Sequence, residues 1–207
     1  MASEPDDGAL LRAWQAGDRT AGSALFDRHV AALTRFFRSK VEHEIEDLVQ
    51  DTFLACMGAG GFGGQASFRA YLFGIARHKL YDLLARRARA PFDPATQSAV
   101  DLGASPASAL ARAEEHRLLL AALRAIPLDF QIALELFYWE GLSGEEIATV
   151  TGVSPHTVRS RMARARDALE AALARLATSP ETLRSTVSDL EGWARTLAAA
   201  VGPPARP

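Results

Sequence analysis

A chain of 207 residues with 48% hydrophobic and 23% charged residues can bury one or two substantial cores. Its net charge of −2 excludes a surface that is basic throughout, so any nucleic-acid site must be local. Cys56 is the only cysteine, which excludes an intrachain disulfide and a cysteine zinc cluster. No apolar run suits a transmembrane helix and the first residues lack a signal peptide's basic region, so we expect a cytoplasmic protein without membrane insertion.

Helical periodicity dominates the chain, and no stretch alternates with period two. In the first helical stretch, 9–41, a break is predicted at 17–22. A later segment has three prolines among small polar residues, which is linker composition. The predicted fold is all-α, with two helical domains joined by a flexible linker and followed by a C-terminal helix. The predicted boundaries are 8–90 for the first domain, 91–113 for the linker, 114–177 for the second domain and 178–207 for the extension.

The helix predicted over 45–57 has two distinct faces. One face is apolar and suits a core, whereas nearby glutamates make the exposed end strongly acidic. Such a face is typical either of a solvated helix or of a docking surface for a basic protein partner. The outward stripe, at i, i+3, i+4, i+7 spacing, consists of Asp47, Gln50, Asp51 and Leu54.

After a glycine-rich loop at 58–64, Ser67 begins a predicted helix that runs to about residue 89. Its sequence, SFRAYLFGIARHKLYDLLARRAR, interleaves basic and aromatic side chains. Positive charge binds phosphates and rings stack on unstacked bases, so the pattern fits a single-stranded nucleic-acid site. The rings also suit a core, and we expect burial for Phe73 and Tyr81.

The segment 142–166 predicts a helix-turn-helix. Ser143 and Glu146 form a capping box at the start of its first helix. Gly152 permits the left-handed backbone of a helix end, and Ser154 is the N-cap of the second helix. Arginines alone would favour a solvated face on an ordinary helical hairpin, but both caps at this spacing favour DNA binding.

The second helix, predicted over 155–175, carries four arginines and no acidic residue in its first twelve residues. Its outer N-terminal face is the part that contacts base edges in helix-turn-helix docking. A bidentate pair with guanine suits Arg159, whereas the flanking Arg161 and Arg164 suit phosphates. The candidate DNA-contacting residues are His156, Thr157, Arg159, Ser160, Arg161 and Arg164.

The order of these segments resembles the bacterial sigma-70 family over about residues 8–176. The matching parts are EDLVQDTFL, the glycine loop, the aromatic and basic helix, the linker and the helix-turn-helix. The chain is similar to the short extracytoplasmic-function (ECF) class, which keeps only regions 2 and 4. This resemblance implies a transcription initiation factor, not an enzyme, that binds core RNA polymerase and promoter DNA without a cofactor or metal.

The resemblance also implies roles for residues of the first domain. Asp47, Gln50 and Asp51 match a D-x-x-Q-[DE] motif that docks on the β′ clamp helices of polymerase, with the β flap as a further contact. The 58–68 loop and the helix after it match the part that melts the −10 element. The candidates there are Phe68, Tyr71, Arg77, His78 and Lys79.

The helix-turn-helix matches the part that recognises the −35 element, and an anti-sigma partner is implied by the resemblance alone. Family members commonly have tryptophan at the position of Tyr71 and asparagine at that of His78, so we expect this chain to differ from them in promoter preference. In the 178–207 extension an apolar stripe predicts a helix. That helix either packs on the second domain or regulates by covering a polymerase- or DNA-binding face.

Two other functions are compatible with parts of the sequence. A response-regulator-type transcription factor has a similar helix-turn-helix sequence pattern, but it needs neither the acidic helix nor the aromatic and basic helix. An enzyme is suggested by H-E-x-x-D at 43–47, loosely like a metal site. The second histidine of that motif is missing, and no phosphate loop or nucleophile elbow is present, so we expect no catalytic residues and no bound metal.

Overall fold

The structure is a computed structural model, and its described residues are 5–58, 62, 67–88, 91–101 and 114–177, without the side chains of 114–116. These ranges contain eight α-helices and no β-strand, which confirms the all-α prediction. We call α1 to α4 the N-terminal bundle and α5 to α8 the C-terminal bundle. The helices are α1 (Asp7–Gln15), α2 (Arg19–Arg38), α3 (Ile45–Gly58), α4 (Phe68–Arg87), α5 (Glu114–Arg124), α6 (Leu128–Tyr138), α7 (Gly144–Thr151) and α8 (Pro155–Leu176).

The first break in the chain is shorter than predicted. Asp18 caps α2 by accepting from the Thr20 N–H at 2.8 Å, and Gly17 makes the turn with φ 102°. Gly22 therefore lies inside α2 and not in a loop. Its missing side chain has a packing reason, because a Cβ there would lie 2.4 Å from Cδ1 of Trp14 on α1. The glycine that the sequence marked as a helix breaker is instead a site of close helix contact.

In the N-terminal bundle, α4 contributes a continuous buried stripe to the core. Its buried residues follow one stripe at four-residue steps from Phe68 through Leu72, Ala76 and Leu80. Phe73 is also buried, 5.5 Å from the Phe36 ring of α2, which confirms its predicted core position. This packing places α4 mainly against α3 and determines which of its side chains remain outside.

The helix-turn-helix has the local structure that its sequence predicts. Ser143 and Glu146 form the capping box of α7, and Gly152 ends that helix with φ 70° in the left-handed region. Ser154 caps α8 by accepting from the Thr157 N–H at 3.1 Å. The inward residues of α8 are all buried, namely Val158, Met162, Ala165 and Leu169.

Residues 91–101, the first part of the predicted linker, lie against the start of α6. Pro127 is the N-cap of that helix and has no side chain that can satisfy the first N–H groups. The carbonyl oxygens of Gln97 and Pro94 do so, accepting from Leu128 N at 2.8 Å and Asp129 N at 2.9 Å. This part of the segment is thus fixed by backbone hydrogen bonds, which its composition did not indicate. Residues 102–113 and the predicted C-terminal helix in 178–207 lie outside the described residues.

The two bundles share one continuous apolar core, with α4 packed on α7. Polar groups also join them, since the buried Arg124 donates to the backbone oxygens of Ser39 at 2.8 Å and Arg38 at 2.9 Å. A pair of domains that only a linker connects would not require these contacts. The chain therefore adopts a closed arrangement in which the bundles cover part of each other.

Candidate nucleic-acid and protein interfaces

The acidic stripe of α3 lies on the surface. Asp47, Gln50 and Asp51 are exposed, and Leu54 beside them is 55% exposed, although it is a large apolar residue. The opposite residues of α3 are buried in the core, as the two-faced pattern predicts. Exposed carboxylates around an exposed leucine suit a basic protein surface with an apolar pocket.

Phe68 does not lie where a base-contacting residue must lie. It is 5% exposed, and its ring lies 5.2 Å from the His29 ring and 5.8 Å from the Phe62 ring. Its position on the stripe of Leu72 explains this burial, and that spacing was visible in the sequence. A ring so enclosed cannot stack on a base, so the prediction for Phe68 does not fit this structure. Phe68 instead supports the half-buried Tyr71, whose ring is 6.3 Å away.

His29 completes the support under this aromatic group. Its Nε2 lies 2.7 Å from Oδ2 of Asp7. Burial lowers the pKa of His29, although the hydrogen-bonded Asp7 carboxylate opposes that shift. The ring is thus held neutral at neutral pH, donating to Asp7 and packing on Phe68.

The three consecutive polar residues of α4 have different environments. His78 is exposed, and Lys79 is half-buried. Arg77 turns towards the C-terminal bundle, where its guanidinium lies 4.3 Å from the centre of the Tyr81 ring and 3.5 Å from Asp129. His78 and Lys79 therefore face outwards, while Arg77 is held within the molecule.

On α8, the predicted base-contacting face is open. His156, Arg159 and Ser160 are exposed at the helix N-terminus, and Thr157 is half-buried next to its cap. Arg164 is exposed as well, with its guanidinium 5.8 Å from the centre of the Phe130 ring. Arg161 differs, because its side chain is 13% exposed and pairs with Asp129 at 3.2 Å.

Asp129 is the residue that sequence reasoning missed. Its side chain is 8% exposed and receives Arg77 from α4 on one oxygen and Arg161 from α8 on the other. The Tyr81 hydroxyl also donates to it, and burial raises the pKa of that hydroxyl, so it remains a donor. No local pattern marks Asp129, since its partners lie far away along the chain.

Two further buried carboxylates join the bundles in the same way. Glu140, with 3% side-chain exposure, receives Arg35 at 2.7 Å and Arg69 at 2.9 Å. Glu135 pairs with Lys40, and both side chains are at most 2% exposed. Burial raises the pKa of Glu135 and lowers that of Lys40, while their mutual attraction opposes both shifts. Each of these carboxylates therefore needs a cation of the other bundle as its partner.

The described residues form neither a metal site nor a membrane-spanning helix. In the described ranges, no group of three histidine, cysteine or acidic residues could hold a metal ion, and the H-E-x-x-D segment forms no such group. Across the same ranges, no helix is long and apolar enough to cross a membrane.

Comparison with known proteins gives the family. Residues 25–90 match the model of sigma-70 region 2, and residues 116–169 match that of sigma-70 region 4. The chain is 31% identical over 188 residues to RNA polymerase sigma-H factor of Pseudomonas aeruginosa, covering 84% of this chain and 96% of that protein. The chain belongs to the sigma-70 family. More narrowly, this sigma factor is of the ECF class, being 34% identical over 176 residues to ECF RNA polymerase sigma factor SigM of Mycobacterium tuberculosis, with 84% of this chain and 85% of SigM covered.

Solved structures agree with this family. The sigma factor resembles CnrH in a complex with the cytosolic domain of CnrY, at a TM-score of 0.62 and 30% identity over 83% of this chain and 99% of that chain. It also resembles the sigma factor RpoE of Bartonella quintana in a complex with the anti-sigma factor NepR, at a TM-score of 0.57 and 25% identity over 73% of this chain and 96% of that one. The chain is a transcription initiation factor that directs promoter recognition, which decides against the response-regulator interpretation.

Proposed function

We propose that this sigma factor binds core RNA polymerase through the exposed stripe of α3. Asp47, Gln50 and Asp51 would face basic residues of the β′ clamp helices, and Leu54 would fill an apolar pocket between them. The exposure of this stripe supports the proposal, because an apolar side chain that is 55% exposed within an acidic surface suits a partner. The C-terminal bundle supplies the further contact with the β flap.

For the −10 element, the proposed surface is the outer side of α4. Tyr71 stacks on an unpaired base, while His78 and Lys79 contact the backbone of the single strand. Arg77 joins them once it leaves Asp129. Phe68 packs against the Tyr71 ring, and His29 packs against Phe68, so both support the Tyr71 side chain from within the core.

For the −35 element, the proposed surface is the N-terminal face of α8. Arg159 pairs with a guanine, His156, Thr157 and Ser160 contribute hydrogen bonds at the same end, and the flanking arginines bind phosphates. The observation that carries the whole proposal is that one chain exposes both this face and the acidic face of α3.

The domain limits and partners follow the same assignment. Region 2 occupies 8–90 and region 4 occupies 114–177, with an anti-sigma factor as a further partner because both similar structures are complexes of a sigma factor with another protein. A protein that acts with polymerase works in the cytoplasm and needs no catalytic residue of its own.

Charge reversal on α3 tests the polymerase contact. The double variant Asp47→Lys, Asp51→Lys should weaken binding to core polymerase by about 100-fold or more, since attraction becomes repulsion. The matched control is Asp167→Lys, Glu170→Lys, which makes the same charge change at exposed positions of α8. Affinity is measured with labelled sigma factor and purified core enzyme. Equal affinities for the two double variants would refute the docking assignment.

Promoter discrimination tests the role of α8. Arg159→Ala should lose about 1–3 kcal/mol of base discrimination, or about 5- to 150-fold, at one position of the −35 element. Arg175→Ala is the control, because Arg175 is an exposed arginine in the last turn of the same helix. Transcription from a random promoter library reports both preferences. An unchanged preference for Arg159→Ala would remove Arg159 from base recognition.

A further inference from the structure

One carboxylate holds an arginine from each of the two proposed DNA-binding helices. Arg77 of α4 lies 3.5 Å from Oδ1 of Asp129, and Arg161 of α8 lies 3.2 Å from Oδ2. Like a phosphate, a carboxylate offers negatively charged oxygens to guanidinium groups, and here each arginine contacts a different oxygen. In the closed arrangement, Asp129 therefore occupies two arginines that promoter DNA would otherwise bind.

The closed arrangement also has the wrong dimensions for a promoter. The names of the −35 and −10 elements place them about 25 base pairs apart, which is roughly 85 Å of duplex at 3.4 Å per pair. Arg77 and Arg161 meet at a single side chain, and α4 packs directly on α7. The two bundles must separate before both elements can be contacted at once.

The contacts that hold the bundles together suit a reversible closure. Asp129, Glu135 and Glu140 are each at most 6% exposed and pair with cations of the N-terminal bundle. Within the described part of the chain, the buried Arg77 Nε and Arg161 Nη1 atoms have no hydrogen-bond partner. Such donors are left unsatisfied only while the bundles are closed, so these two arginines have donor capacity that a phosphate can satisfy.

We infer that Asp129 acts as an internal phosphate substitute, which keeps Arg77 and Arg161 of the free sigma factor from DNA until the bundles separate. The inference rests on the proposed DNA roles of these two arginines. An open form that is a minor state of about 0.1–10% lowers the apparent affinity for DNA by about 10- to 1000-fold. Promoter contact then requires a partner, such as core polymerase, that binds the open form better.

Opening is measured first, without DNA. Spin labels on Ala85→Cys of α4 and Ala171→Cys of α8, both exposed positions, report the distance between the bundles. Burial raises the pKa of the native Cys56 thiol to about 12, so labels at neutral pH react with the introduced cysteines. The free wild-type chain should give a single distance, and Asp129→Asn should add a longer one, as should the wild type bound to core polymerase. An unchanged distance in Asp129→Asn would overturn the inference.

Release of the arginines is measured second, through the salt dependence of DNA binding. The probe is a random-sequence duplex with an unpaired centre, and the slope of log affinity against log salt counts phosphate contacts. Asp129→Asn should steepen the slope by about 0.9 for a duplex contact and about 0.7 for a single-strand contact, and should raise affinity about tenfold or more. Asp167→Asn, the same charge change at an exposed site of α8, should leave the slope unchanged.

A second variant covers the case in which Asp129→Asn does not fold. Glu140→Gln weakens the closure at Arg35 and Arg69, which have no proposed DNA role, and should also lengthen the distance and steepen the slope. Opening with an unchanged slope would overturn the masking of Arg77 and Arg161. That result would leave the Arg159→Ala test of promoter discrimination unaffected, so the two proposals fail separately.

Discussion

Carboxylates of α3 and of the α6 region have opposite environments in this sigma factor. Asp47 and Asp51 are exposed, whereas Asp129, Glu135 and Glu140 are buried and paired across the two bundles. An exposed carboxylate keeps its water until a partner arrives, while a buried one has already exchanged water for a protein cation. Only the first set therefore offers charge to another molecule, and the second set holds this chain in its closed form.

Among the exposed and the buried carboxylates, substitution of the buried Glu135 by alanine should cause the largest loss of stability. It leaves Lys40, whose side chain has 0% exposure, as an unpaired buried charge, so the free energy of unfolding should fall by about 3–5 kcal/mol in urea titrations. The control is Glu135→Leu with Lys40→Met, which removes both charges and should be neutral or stabilising. If Glu135→Ala lowered the free energy of unfolding no more than substitution of an exposed acidic residue does, the proposed difference between buried and exposed carboxylates would be wrong.

Glu146 is half-buried and therefore intermediate between the exposed and the buried carboxylates, and its contribution to stability should depend on pH. Its pKa is lowered by the Ser67 hydroxyl first and by the Ser143 backbone N–H next. A lowered pKa in the folded state means that the unfolded chain binds more protons, so this stabilisation is present above pH 4.5 and is lost as pH falls through the folded value. Glu146→Gln should cost about 1 kcal/mol at pH 7 and less at pH 4. Urea titrations at both pH values measure it, and a pH-independent difference would contradict the assignment.

The exposed set should show the smallest effect on stability. Asp47→Asn with Asp51→Asn should change the free energy of unfolding by no more than about 0.5 kcal/mol, because neither side chain is buried. The same variant should bind core polymerase more weakly than the wild type. Calorimetry and a core-binding titration on one sample separate the two results. A large loss of stability would show that α3 uses these charges internally.

Sequence reasoning succeeded where the information is local. The capping box of Ser143 and Glu146 spans three residues, and the left-handed Gly152 is determined by its own backbone. The buried and exposed faces of α3 and α8 follow from helical spacing in the same way. The positions of these elements and the exposure of Asp47, Asp51 and Arg159 were therefore predictable from short windows of sequence.

Sequence reasoning failed where the two residues of an interaction are distant along the chain. Lys40 and Glu135 are separated by 95 residues, and Arg77 and Asp129 by 52. Nothing in the neighbourhood of either acid distinguishes it from the exposed acids of α3. The capping of α6 by the carbonyl oxygens of residues 94 and 97 could not be predicted either, because every residue has the same backbone oxygen. Closure of the bundles is a tertiary property that local patterns do not contain.

The starts of α4 and α7 meet in one small network. Ser67 accepts from the Ala70 N–H at 3.2 Å and donates to Glu146, which also accepts from the Ser143 N–H at 2.8 Å. Within this network, separation of the bundles breaks only the hydrogen bond from Ser67 to Glu146, and each helix keeps its own cap. Opening can then proceed as a rigid-body movement, and amide hydrogen exchange should rise along the parted surfaces without fraying at either helix start.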